Sequence, residues 1–230
     1  MSDQSISSSE FMLNEYNMMK EFRELIIHQV DNRVNLYLKM ISTAITVIPA
    51  FSFWVVNSND EVDYEMLCVI SGVIAVLLLC FGILSFFRVI EGHISIINYT
   101  RAINRARRYF YDRDRSIRNY ISMPVTDNTP SFGTYGFSAV KTMNVGATSL
   151  VMLLNVFNLW LLEGMVIWYL GTKVQFNNIE LIFVISGAVI LGIVYYILLR
   201  CIYNKRMRRA RQKAVAHFTN SVISDILEEN

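Results

Sequence analysis

Long apolar runs alternate with polar, arginine-rich segments along the 230 residues of this chain. Four stretches, 40–56, 66–87, 142–162 and 181–199, carry no charged side chain over 17, 22, 21 and 19 positions. A helix that crosses a bilayer needs about 20 mainly apolar residues. Three stretches meet that length. The first meets it if the span starts before Lys39, whose apolar stem lets its amine reach the interface. The pattern predicts spans at about 36–56, 66–87, 143–170 and 180–199, within a transmembrane domain covering 34–199.

Between and beyond these runs the apolar period stays helical. Residues 1–9 are Ser-rich and predicted disordered. From Glu10 to Arg33 an amphipathic cytosolic helix is expected, because Phe11, Met18, Phe22, Leu25, Ile26 and Val30 recur at three- and four-residue steps. Ser9 is placed to cap it. Pro49 removes a backbone hydrogen bond inside the first span, so a kink near Ile45 is expected. After the second span no proline intervenes before residue 120, and only Gly92 interrupts the stripe of Ile90, Ile94, Ile97, Ile103 and Phe110. That stretch predicts a helix reaching roughly 40–50 Å into the cytosol at 1.5 Å per residue. Pro124, Pro130, Gly133 and Gly136 then mark a loop, completing a cytosolic helix and loop over 88–141. The fourth span runs on into a basic cytosolic helix at 200–230. The predicted fold class is all-α: a polytopic four-helix transmembrane protein with N-terminal, central and C-terminal cytosolic helical extensions.

Composition agrees with this reading. The chain is 53% hydrophobic with a mean hydropathy of +0.36, above the roughly 45–50% apolar content of soluble domains. Twenty of its 21 Lys and Arg residues fall in 1–39, 88–141 and 200–213. Basic residues in short loops stay on the cytoplasmic side, so both termini are expected in the cytoplasm of a bacterium, with the chain multi-pass in its inner membrane. The loop at 57–65 carries Asp60, Glu61, Asp63 and Glu65 and no basic residue. The first 33 residues lack the basic start and apolar core of a cleavable signal, so the first span is expected to direct its own insertion. Trp54, Trp160 and Trp168 map to the outer ends of spans and Tyr195 and Tyr196 nearer the inner end of the fourth, as interfacial aromatics do. Ser71/Ala75 and Ala188/Gly192 are small-residue pairs suited to close helix contact. Cys68, Cys80 and Cys201 lack metal-site spacing and read as structural. His28, His93 and His217 are isolated, and no nucleotide-loop, hydrolase or zinc motif is present. No catalytic residue, metal or cofactor is predicted, and the chain is read as a non-enzyme.

The net charge of +2 conceals a cytosolic excess: the expected cytosolic segments 1–39, 88–141 and 200–230 hold 20 basic and 13 acidic residues, a difference of seven. The densest part is TRAINRARRYFYDRDRSIRNY at 100–120. Arg101, Arg108 and Arg115 recur at seven and Arg105 falls between them, forming one helical stripe; Arg107 lies to one side, and Tyr109 and Phe110 adjoin it. Guanidinium groups beside aromatic rings hold phosphates and stack bases. These seven residues are the candidate ligand site for an anionic nucleotide or single-stranded oligonucleotide. The competing reading is contact with anionic lipid headgroups, at about 1 kcal/mol per basic residue. A second cluster, Arg206, Arg208, Arg209 and Arg211, follows the fourth span directly and suits headgroups better. In the third span Asn155, Asn158 and Glu163 are polar, and they are candidates either for a pore lining or for hydrogen bonds between helices.

The plan of an amphipathic helix entering a first span, the INRARRYF segment at 103–110 after the second, and a basic tail after the last resembles small multi-span effectors of bacterial antiphage defence. It is similar in style to SLATT-type effectors, which usually have two spans, and to the channel effector of Hailong-type systems. The latter resemblance implies a tetrameric channel held shut by a DNA oligomer that a partner nucleotidyltransferase makes. The expectation is therefore a homo-oligomeric channel gated by an anionic ligand, or alternatively a non-conducting scaffold that docks a cytosolic partner protein. A transporter would need more buried ionisable groups and broken spans than the chain contains.

Overall fold

A computed structural model describes residues 8–58, 64–113, 146–173 and 177–228. These form four α-helices and, among the described residues, no strand: α1 (Ser8–Ser58), α2 (Tyr64–Arg113), α3 (Ala147–Lys173) and α4 (Asn178–Glu228). At 1.5 Å per residue the 51-, 50- and 51-residue helices α1, α2 and α4 are each far longer than the roughly 30 Å of hydrocarbon a bilayer presents. Each is therefore longer than a single crossing requires, and each stays one unbroken helix over its described length. Among the described residues, Met66–Arg113, Ala147–Gly171 and Glu180–Lys213 are long and apolar enough to cross a membrane. The expected first span lies in α1, whose side chains are described only as far as Ala50 and at Phe53. Of residues 1–9, expected to be disordered, Ser8 and Ser9 instead open α1, while 1–7, the helix beyond Arg113 and the loop at 122–136 lie outside the described residues.

Local chemistry sets the helix ends. At the α4 start Glu180 reaches back as in one half of a capping box: Asn177 N–H donates to its carboxylate at 3.0 Å, while Leu181 N–H makes the first helical bond to the Asn177 carbonyl at 3.0 Å. Gly146 opens α3, its carbonyl accepting from Ser149 and Leu150. Ser9 stands inside the first turn of α1 rather than ahead of it, a shift of the kind helix ends commonly show. Pro49 lies within α1, which remains one helix through it. One turn earlier the Thr46 hydroxyl lies 3.1 and 2.9 Å from the carbonyls of Ser42 and Thr43, and Thr43 donates to the Lys39 carbonyl at 2.8 Å. Polar side chains in this apolar run thus satisfy themselves on their own helix.

The chain divides into two compact units, and α1, α2 and α4 contribute to both. The first comprises Met1–Val30, Ile90–Val140 and Asn204–Asn230. Within it Gly92 explains its own position: a methyl group there would overlap Val30 of α1, so the apparent break in the apolar stripe is a point of close contact between α1 and α2. Phe22 and Tyr99 stack near this contact, with centroids 6.0 Å apart, and Ile97, Ile103 and Ala106 are buried. The second unit comprises Asp31–Val89 and Lys141–Tyr203. Its core holds Tyr37, Phe86, Val151, Met152 and Leu199. Gly192 of α4 receives the Trp160 indole of α3, so one of the predicted small-residue positions does admit a close contact.

Candidate functional site

The Arg-rich stretch of α2 is split by its packing. Ile103, Asn104 and Ala106 are buried, so Arg107 lies on the packed side while Arg105 and Arg108 are exposed and Arg101 is half-buried. Arg107 donates to Asn104 Oδ1 at 3.3 Å and toward the Tyr16 hydroxyl at 3.5 Å, and its guanidinium carbon sits 5.8 Å from the Tyr16 ring centroid. It therefore joins α2 to α1 and is already occupied. Arg108 pairs with Asp112 one turn on at 3.5 Å, with both side chains well exposed, an arrangement worth only a few tenths of a kcal/mol. That pair leaves the Arg108 charge accessible. Tyr109 accepts a 2.6 Å hydrogen bond from Arg113, whose guanidinium carbon lies 5.8 Å from its ring, and meets Phe110 edge-on at 5.4 Å. Arg115 lies outside the described residues.

The α4 segment of the first unit adds Lys205, Arg206, Arg208, Arg209, Arg211 and Lys213, all exposed, around a buried Met207. Arg206 approaches Glu91 of α2 at 4.0 Å, so the two basic segments are neighbours. Residues 8–30, 90–113 and 204–213 hold 13 basic and 6 acidic side chains, an excess of seven. Four of the acidic ones, Glu10, Glu15, Glu21 and Glu24, are on α1, which leaves α2 and α4 strongly positive.

In the second unit the two asparagines of α3 are fully buried between helices. Asn155 Oδ1 accepts from the Tyr37 hydroxyl of α1 at 2.9 Å, and its amide donates to the Gly82 carbonyl of α2 at 3.1 Å. Asn158 donates to the Ala75 carbonyl at 3.4 Å. These geometries are those of hydrogen bonds between helices, one of the two roles open from the sequence. Glu163 differs, because both its carboxylate oxygens are covered and accept no hydrogen bond. The Tyr195 hydroxyl and Ser85 Oγ are likewise covered without a partner. Cys68 is half-buried, Cys80 and Cys201 are exposed, and all three are free thiols.

Four residues that complete these contacts carry no motif: Tyr16 and Asn104 around Arg107, and Tyr37 and Gly82 around Asn155. The available signal for Tyr37 was a phenol at the edge of an apolar run, which must find a partner once buried. No family model, curated protein or solved structure matches the chain.

Proposed function

We propose that this chain is an oligomeric channel-type effector of the bacterial inner membrane, gated by an anionic nucleotide or single-stranded oligonucleotide on its basic unit, and acting in antiphage defence. The observation that carries the reading is the exposed cationic surface of the first unit. Arg105 and Arg108 of α2, and Arg208, Arg209 and Arg211 of α4, are all exposed. Tyr109 and Phe110 lie half-buried beside the α2 arginines and offer ring faces to bases. In this reading the four-span topology with cytoplasmic termini puts that surface in the cytoplasm. Repeated around an oligomer, it forms a ring for phosphates, and binding or release shifts the long helices that also enter the spans. The antiphage role rests on the resemblance in plan to Hailong-type and SLATT-type effectors.

A specific observation favours the scaffold reading as well. Phe11, Met18 and Leu25 on α1 recur at seven and are exposed by 54%, 44% and 51%, an apolar stripe suited to a helix of a cytosolic partner protein. One experiment separates the two. Full-length protein in lipid nanodiscs is titrated with a fluorescent single-stranded DNA oligomer over a range of salt. The double variant R105A/R108A should weaken binding about tenfold and flatten the salt dependence by about 1.4 in log–log slope, the share of two phosphate contacts. Unaltered affinity, with membrane potential maintained in expressing cells, would leave the scaffold.

A further inference from the structure

We propose that the second unit holds a binding site for a hydrocarbon chain, the tail of a bilayer lipid, in a pocket walled by α1, α2 and α3. The pocket has a volume of about 150 Å³. Ile41, Ile45 and Pro49 form its α1 wall, Leu78 belongs to α2, and Leu161 and Met165 to α3. An apolar cavity of about this size stays dry and takes up benzene or xenon, so about six carbons of a chain fit. Among the described lining residues Asn158 is the single polar side chain, too few partners for the two to four hydrogen bonds that a buried water makes.

Three features keep the space from collapsing. The Pro49 ring lacks an N–H and crowds the carbonyl one turn back, at Ile45. Ala44 and Ala75, also in the lining, are too short to reach across. Asn158 is tied by its amide to the Ala75 carbonyl and does not swing inward. The occupant follows from the surroundings. The α2 and α3 walls belong to helices apolar enough to cross a membrane, where the medium at hand is lipid tails rather than water. The site is independent of the anion-binding reading, since every lining residue belongs to the second unit.

The test uses the full chain in phosphatidylcholine vesicles that contain a lipid with a photoreactive diazirine in its tail. After irradiation, peptides covering 41–49 and 161–165 should be labelled more strongly than the exposed α2 positions Val69, Val73 and Leu84. Ala44→Phe fills the pocket and should reduce pocket labelling about tenfold, a loss of roughly 1.4 kcal/mol of binding, with labelling at those α2 positions unchanged. Leu161→Ala enlarges the pocket and should raise labelling on α1, which decides the matter if the first variant does not fold. Labelling on α1 no stronger than at those α2 positions, or unmoved by both substitutions, overturns the site.

Discussion

Gly82 is the residue on which the second unit turns. Its missing side chain is what lets Tyr37 and Asn155 reach each other over α2, because a methyl group there would overlap both polar atoms. Gly82→Ala therefore forces the Tyr37–Asn155 pair apart as well as overpacking the contact, at roughly 1–3 kcal/mol for the packing alone. Asn155→Ala leaves a buried hydroxyl and a carbonyl without their partner. Tyr37→Phe removes one hydrogen bond, worth about 0.6 kcal/mol on average between membrane helices and up to roughly 1.7. The expected order of destabilisation, read as the midpoint of SDS unfolding from mixed micelles, is Gly82→Ala, then Asn155→Ala, then Tyr37→Phe. A Gly82→Ala protein as stable as the parent would contradict the contact. Asn155 was legible in the sequence as a polar residue in an apolar run, with two roles open. Its role was not, because its partners lie 118 and 73 positions away and no local spacing reports such distances.

At the scale of the element, apolar periodicity was enough to find the helices, and continuity across the span boundaries was readable from the lack of proline. What it left unresolved is which arginines of α2 face solvent. Arg107 and Arg108 are adjacent in sequence, yet one is clamped against Tyr16 while the other is exposed. The difference comes from α1, which brings Tyr16 against Arg107 and packs Val30 against Gly92. His93 follows that glycine directly, and burial holds its imidazole below the ordinary value of 6.5. Between the lowered value and 6.5 the unfolded chain binds a proton that the folded chain refuses. The associated stability is therefore present above pH 6.5 and is lost as pH falls through that value. Thermal unfolding of the purified protein followed from pH 7.5 to 5 should show a falling midpoint, and His93→Gln should flatten the curve. An unchanged slope in that variant would remove His93 as the cause.

At the scale of the molecule, α4 has the least cover of the three helices apolar enough to cross a membrane. Only 6% of its most apolar stretch is buried within the chain, against 22% for α2 and 28% for α3. Ile182, Phe183, Ile190 and Val194 are among its exposed side chains. In a membrane, hydrocarbon or a neighbouring copy would meet them, and the proposed oligomer would place copies there. With the three native cysteines replaced, Val189→Cys in native membranes should cross-link copies under mild oxidation, and a tetramer predicts that bifunctional amine reagents give a ladder ending at four. A protein that stays monomeric by both measures would exclude the oligomeric channel.

The bond between Tyr37 and Asn155 also has a consequence for synthesis. A ribosome adds about 5–20 residues per second, so the asparagine 118 positions downstream is made roughly 6–24 seconds after the tyrosine. During that interval α1 has no α3 to accept from its phenol. The polar atom must wait at the interface, in water, or in the care of the insertion machinery. This one bond of α1 thus forms only after α3 is made, although the contacts of α1 with α2 are open to it earlier.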